Sequence, residues 1–279
     1  MRQAPLVPAN GANIPAIGLG TFGLSGRACE DAVLWALEAG YRHVDTAAMY
    51  GNEEAVGSGL RASGLPRHEV FVTTKVWLDE IAPGRLESAA EASLKRLGLD
   101  AVDLLLIHWP NAAVPVRDST AALCRAKRTG LAHHVGVSNY TAAMLDETVS
   151  AANEPIAVNQ VEYHPYLDQT RVKRACARHG VALTAYCPLG RSGLFGDPML
   201  REIAKAKGRS VSQTVMRWHI QQPGVAAIPK SGAKAHIREN LDVFDFELGV
   251  DEMGRISALA RPDGRVVDPP FAPAWDAPA

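Results

Sequence analysis

Val70-Phe-Val-Thr-Thr-Lys75 and Val102-Asp-Leu-Leu-Leu-Ile-His108 are short apolar runs that each end in an ionisable side chain. Between them Leu86, Ala89, Ala90, Ser93, Leu94 and Leu97 recur at the spacing of a helix that covers a sheet. A run apolar on both faces suits a strand covered on both sides, so strand, helix, strand in this order predicts a parallel crossover unit. The unit repeats. Apolar segments at 17–20, 42–46, 70–75, 102–107, 133–137, 157–161, 182–186 and 225–228 read as buried strands. Helical candidates at 28–39, 53–63, 84–97, 119–129, 141–152, 169–179, 199–207, 211–222 and 234–243 separate nearly all of them. Eight such units predict a closed (β/α)8 TIM barrel, an α/β fold of about 250 residues. The chain of 279 residues is read as one domain, 1–279, with an irregular Pro- and Ala-rich tail from about Asp268. An Asn-Gly turn signal within residues 6–14 predicts an N-terminal β-hairpin before the barrel.

Asp45, Lys75, His108, Ser138, Asn139, Gln160, Tyr186 and Lys230 fall at or just beyond the C-terminal ends of these strands. In a barrel such ends converge on one mouth, the face where barrel enzymes build their sites. An unpaired charge at the end of a buried strand is driven neutral, so a group of them needs mutual pairing or work to do.

Composition narrows the class. The chain is 47% hydrophobic and 21% charged, enough for a sizeable core. A formal net charge of -1, without a basic run, predicts no nucleic-acid or anionic-membrane partner. Met-Arg-Gln-Ala-Pro-Leu-Val-Pro lacks the apolar core of a signal peptide, and no run approaches the roughly 20 apolar residues of a membrane span, so a cytoplasmic location is expected. Cys29, Cys124, Cys176 and Cys187 are widely spaced, which predicts four reduced thiols and no metal site.

Gly18-Leu-Gly-Thr-Phe-Gly23 matches a dinucleotide-binding glycine pattern, with Asp45 at a distance that mimics a ribose-binding acid. A Rossmann loop requires the strand to run directly into a helix. Leu24-Ser-Gly-Arg27 intervenes here, so the match reads as a decoy.

Gly40-Tyr-Arg-His-Val-Asp-Thr-Ala-Ala-Met-Tyr-Gly-Asn-Glu53 ends a strand on Asp45 and presents Tyr50 five residues later. Asp45 and Lys75 suit a structural ion pair at a barrel rim, and His108 alone suits a packed histidine. Together with Tyr50 they suit an acid system: a protonated Lys75 lowers the tyrosine pKa from about 10 while Asp45 keeps the lysine charged.

These four positions and their surroundings resemble the aldo-keto reductase family, whose tetrad of Asp, Tyr, Lys and His is carried here by Asp45, Tyr50, Lys75 and His108. The resemblance continues in order through Gly136-Val-Ser-Asn-Tyr140, Asn159-Gln-Val-Glu-Tyr-His-Pro-Tyr166, Ala185-Tyr-Cys-Pro-Leu-Gly190 and Ile228-Pro-Lys-Ser231. It implies reduction of a small-molecule aldehyde or ketone by NAD(P)H, with Tyr50 as general acid and His108 orienting the carbonyl. It places Gly20, Thr21 and Phe22 near the nicotinamide ribose, with Asp45 also counted among the cofactor contacts. Ser138, Asn139 and Gln160 then hold the carboxamide, and Tyr186 stacks on the nicotinamide. Cys187 and Leu189 lie by the pyrophosphate. Lys230 and Ser231 anchor the adenosine 2'-phosphate, with His236, Glu239 and Asn240 around the adenosine. The N-terminal hairpin then caps the bottom of the barrel, and a monomer is implied.

Two positions depart from the family pattern. His236 stands where an arginine is usual, which predicts weakened NADP(H) preference and room for NAD(H), with Lys234 or Arg238 as compensating cations. Cys187 stands where serine is frequent, and Gly190-Arg-Ser-Gly-Leu-Phe-Gly196 reads as a flexible clasp over the pyrophosphate. Phe22, Trp77, Trp109 and Trp275 are the candidate walls of an apolar substrate pocket that includes Tyr50 and His108. The nearest resemblance within the family is to short bacterial 2,5-diketo-gluconate and methylglyoxal reductases. The competing expectation is a nicotinamide-binding regulatory or structural protein of reductase ancestry.

Overall fold

The computed structural model describes residues 4–278. It opens on β1 (Leu6–Ala9) and β2 (Ala12–Pro15), an antiparallel hairpin with Leu6 opposite Pro15 and Ala9 opposite Ala12. Asn10 and Gly11 make the turn with φ of 44° and 89°, the left-handed pair that matches strand twist. Val7, Ala9, Ala12 and Ile14 pack with Ala157, Ala182 and Ala226 near the strand starts, so the hairpin closes the N-terminal end of the barrel. Asn10 Nδ2 fastens it by donating to Ile156 O at 2.7 Å and His179 O at 3.0 Å.

Strands and helices then alternate: β3 (Leu19–Gly20), α1 (Gly26–Ala39), β4 (His43–Asp45), α2 (Glu53–Ala62), β5 (Phe71–Val76), α3 (Arg85–Leu97), β6 (Val102–Ile107), α4 (Val116–Arg128), β7 (Ala132–Ser138), α5 (Ala142–Ala151), β8 (Ile156–Glu162), α6 (Thr170–Arg178), β9 (Ala182–Tyr186), α7 (Pro198–Lys207), α8 (Val211–Ile220), β10 (Val225–Ala227), α9 (Lys234–Leu241) and α10 (Val250–Ser257). The eight strands from β3 to β10 pair in parallel, each with its sequence neighbour. Gly18 N to Ala227 O at 2.9 Å, Ala227 N to Ala16 O at 2.8 Å and Gly20 N to Pro229 O at 3.0 Å join first strand to last and close the barrel.

That seam explains the Gly-x-Gly pattern. A Cβ on Gly18 would lie 2.6 Å from His43 Nδ1, and one on Gly20 would lie 2.8 Å from Ile228 O. The glycines let two backbones meet. They do not form a phosphate loop, since α1 starts only at Gly26.

The helices cover the outside as their spacing predicts. On α3 the buried residues are Leu86, Ala90, Ser93, Leu94 and Leu97. The short helix α10 was not foreseen: it buries only Ile256 and is held at its start by Glu252 accepting from Gly249 N at 2.6 Å. Among the described residues, no helix is long and apolar enough to cross a membrane.

Candidate active site

The strand ends meet at one cavity of about 660 Å³ at the C-terminal mouth. Of the residues singled out in the sequence, Gly20, Thr21, Phe22, Asp45, Tyr50, Trp77, His108, Trp109, Asn139, Gln160, Tyr186, Cys187, Leu189 and Lys230 line it. A second depression at the hairpin end holds one acid, Glu154, already paired with Lys127 at 2.9 Å.

β4 and β5 are neighbours in register, which pairs Asp45 with Thr73, two residues before Lys75 on β5. The Lys75 Nζ there is fully buried and has three partners: Asp45 Oδ1, Thr46 O at 2.8 Å and Tyr50 Oη at 3.3 Å. Tyr50 arrives on a single turn of 3-10 helix at Ala48–Tyr50. Asn52 ties that loop down by accepting from Thr46 Oγ1 at 2.7 Å and donating to Thr21 O at 2.9 Å and Leu24 O at 3.0 Å. Glu53 is likewise committed to structure, accepting from Thr74 Oγ1 at 2.5 Å and Arg96 Nε at 2.7 Å.

His108 closes the group, with its ring 5.5 Å from that of Tyr50 and 5.2 Å from that of Trp77. Its Nδ1 is buried without a partner, so Nε2 is the nitrogen that faces the cavity. Burial, with the positive charge of Lys75 adding to it, holds His108 well below the usual histidine pKa. Burial also lowers Lys75, against the opposing pull of Asp45.

Tyr50 contradicts one expectation. Its pKa lies well above the ordinary tyrosine value, raised first by burial, then by the Asp45 carboxylate and by Cys187. The resting hydroxyl is therefore neutral and keeps its proton.

At the other wall, Gln160 Nε2 donates to Asp45 Oδ2 at 2.7 Å, and Tyr186 Oη donates to Asn139 Oδ1 at 2.8 Å. Asn139 takes a left-handed φ of 64°, which brings its amide back to donate to His108 O at 3.0 Å. Ser138 does not reach the cavity: its Oγ donates to Gln160 O at 2.8 Å and accepts from Asn139 Nδ2 at 3.2 Å, behind the amides.

Trp275 is a correction. Its Nε1 donates to Asp268 Oδ1 at 2.8 Å, the Arg265 guanidinium covers its face at 3.7 Å and its ring meets Trp109 edge-on at 6.0 Å, and it is not among the residues that line the cavity. Phe271 takes the wall position, 5.5 Å from Trp77 and 5.4 Å from Trp109. Sequence reasoning also missed Met49, Pro188 and Val266 to Pro269 as lining residues. The Pro-Pro-Phe run of the tail was the available signal.

The Gly190–Gly196 segment, expected as a clasp over the pyrophosphate, is a 3-10 helix with Leu194 buried beneath it. Arg191 within it reaches the cavity beside Cys187. Burial raises the Cys187 thiol, which leaves it protonated at neutral pH. Ser231, His236, Glu239 and Asn240 lie outside the cavity beyond Lys230; His236 is exposed on the first turn of α9, and Asn240 Oδ1 accepts from Ser212 Oγ at 2.7 Å.

These donors suit a nicotinamide dinucleotide. Asn139 and Gln160 bring amides and Tyr186 a ring to the cavity, and Arg191 and Lys230 bring cations to the same space.

Comparison with known proteins agrees with this geometry. The profile of the Aldo/keto reductase family matches residues 16–261. An aldo-keto reductase of Mycolicibacterium vanbaalenii is 45% identical over 257 residues, covering 91% of this chain and 92% of its own. The glyoxal reductase of Bacillus subtilis is 41% identical over 258 residues, covering 92% of each. A crystal structure assigned as a 2,5-diketo-D-gluconic acid reductase B superposes with a TM-score of 0.97 at 43% identity, covering 99% of this chain and 98% of its own. The Bombyx mori aldo-keto reductase in complex with NADP superposes with a TM-score of 0.88 at 37% identity, covering 96% of each chain. The chain belongs to the aldo/keto reductase family and is an oxidoreductase that reduces carbonyls with a nicotinamide cofactor.

Proposed function

We propose that Tyr50 is the general acid that protonates the substrate oxygen while an aldehyde or ketone is reduced to its alcohol. One observation carries the assignment. An ammonium only donates, and Lys75 spends its three protons on Asp45, Thr46 O and Tyr50 Oη, so the tyrosine oxygen accepts from lysine and its own proton points elsewhere, into the cavity. His108, neutral and with Nε2 towards the same space, is the second donor to the carbonyl oxygen.

A reduced nicotinamide supplies hydride to the carbonyl carbon when bound. As charge builds on the substrate oxygen, Tyr50 gives up its proton and Lys75 steadies the tyrosinate left behind. Asp45, held by Gln160 on its other oxygen, keeps the lysine aligned. Asn139, Gln160 and Tyr186 are the residues to hold the nicotinamide end, with Arg191 and Lys230 for the phosphates.

The finer cofactor reading is a weakened preference for NADP(H), because His236 offers no bidentate grip on a phosphate. The relatives named for glyoxal and 2,5-diketo-D-gluconic acid support dicarbonyls as the first substrates to try. A monomer is the working state, on family resemblance.

The test is oxidation of NADPH and NADH in parallel, followed by the absorbance of the reduced nicotinamide, against aldehydes, ketones and dicarbonyl sugars. Turnover that Tyr50→Phe removes, with cofactor binding intact, supports the assignment. Full activity in Tyr50→Phe sinks the acid role, and tight cofactor binding without turnover in the wild type points instead to a regulatory or structural protein.

A further inference from the structure

Glu162, the last residue of β8, is fully buried and touches none of Asp45, Tyr50, Lys75 or His108 through a hydrogen bond. It lies two residues after Gln160, so both side chains leave the strand on the same face. Donors converge on its carboxylate. His164 Nε2 meets Oε1 at 2.8 Å, and two consecutive amides of the C-terminal tail follow, Val266 N to Oε1 at 2.7 Å and Val267 N to Oε2 at 2.8 Å. The Arg265 guanidinium stands 3.9 Å from Oε2.

The tail reaches this point under tight constraint. Arg261 N donates to Tyr166 O at 3.1 Å, and Gly264 passes so close that a Cβ there would lie 1.7 Å from the same oxygen. The two residues whose amides are captured, Val266 and Val267, line the cavity together with Asp268, Pro269 and Phe271, which follow them. We infer that Glu162 is a positioning residue: its carboxylate latches the tail to the end of β8 and so sets the wall of the substrate pocket that Phe271 completes with Trp77 and Trp109. This rests on the reductase reading for its kinetic consequence, though not for the latch itself.

The residue type follows from the donors. A carboxylate accepts on both oxygens, and four donor groups surround this one; glutamine would turn an amino group towards one pair of them. Burying an anion is costly unless such charge-assisted bonds offset it. Since the tail supplies two of those bonds, carboxylate and tail hold each other in place.

The experiment compares wild type with Glu162→Gln, and with Val267→Pro, which removes one tail donor and leaves β8 untouched. Amide hydrogen exchange across 266–271 is read first, then KM and kcat for nitrobenzaldehyde and for methylglyoxal, then NADPH affinity. The latch predicts exchange faster by about tenfold or more in both variants, the size of one lost hydrogen bond to a charged group. It predicts KM for nitrobenzaldehyde raised by about tenfold in both variants, and in Glu162→Gln, which changes no residue that lines the cavity, kcat, NADPH affinity and KM for methylglyoxal within about twofold. Combined with Phe271→Ala, which already removes the wall, Glu162→Gln then adds little to that KM. Unchanged exchange in both variants overturns the latch, and equal losses on both aldehydes with a fallen kcat overturn its role in the pocket. Should Glu162→Gln fail to fold, Val267→Pro decides alone. An inactive wild type would defeat the reductase reading while the exchange result still judged the latch.

Discussion

Lys75 stands 3.3 Å from the Tyr50 hydroxyl with its other two protons committed to Asp45 and to the carbonyl of Thr46. The lysine is thereby tied to three groups at once, so its charge is a structural requirement and, under the acid role proposed for Tyr50, a catalytic one as well. Among the described residues, Lys75→Met leaves the buried Asp45 carboxylate with Gln160 as its one remaining hydrogen-bonded side-chain partner. Removing one partner of a buried pair costs about 3 to 5 kcal/mol. Lys75→Met should lower stability by that order, and adding Asp45→Asn should restore much of it. Urea unfolding of the two variants checks this, and additive losses in the double variant would contradict the pairing.

The pH profile follows from the same group. Tyr50 is raised well above its ordinary value of 10.0, and Lys75 is lowered from 10.5. The acid therefore stays protonated across the neutral range, and alkaline loss of reduction belongs to the coupled Lys75 and Tyr50 pair, with its apparent value set by deprotonation of lysine below 10.5. His108 is held well below 6.5 and stays neutral as pH falls through that value. Reduction kcat/KM should thus be flat through 6.5 and fall only on the alkaline side. A limb near 6.5 that disappears in His108→Gln would place the titration on the histidine instead.

Much of this was legible in the sequence, for a physical reason. Strands apolar on both faces that end in Asp45, Lys75, His108, Asn139 or Gln160 leave those groups one place to go, the barrel mouth. The hairpin was legible because Asn10-Gly11 admits the left-handed turn. The tail was not, since a Pro-rich segment without periodicity carries no register. Trp275 and Phe271 both suit an apolar wall by type, and only the capture of Val266 and Val267 by Glu162 selects Phe271. Helix α10 escaped notice because a single buried residue makes no stripe. The direction of the Tyr50 shift is not legible in the sequence, because spacing shows which charges are near and not how much water is lost.

Cofactor preference turns on α9. Lys234, one of the cations that could compensate for His236, is occupied by Glu38 at 3.0 Å and lies over the Trp35 ring. Arg238 is exposed on the same helix. His236→Arg should therefore raise the ratio of kcat/KM for NADPH over NADH by about tenfold, the worth of a charge-assisted phosphate contact. The ratio measured on one aldehyde for both proteins checks it. No change would mean that Lys230 and Arg238 already satisfy the site, or that the cofactor carries no phosphate there.

Acid stability should depend on a buried histidine that does not itself line the cavity. His219 is fully buried between Tyr163 and Trp218, with Nε2 on Pro188 O at 3.1 Å and Nδ1 without a partner. Burial lowers its pKa from 6.5 to about 3. The sign follows from proton counting. Between those values the unfolded chain binds the proton and the folded one does not, so stability is intact above 6.5 and is lost progressively as pH falls towards about 3. One such group accounts for a loss on the order of 5 kcal/mol when the shift is traversed in full. His219→Gln cannot take up this proton and should flatten the fall in urea midpoint between neutral and acid pH, even if it lowers stability at neutral pH by disturbing the packing. A variant whose midpoint falls as steeply as that of the wild type would place the acid sensitivity on His43 and His108, the other buried rings that resist protonation.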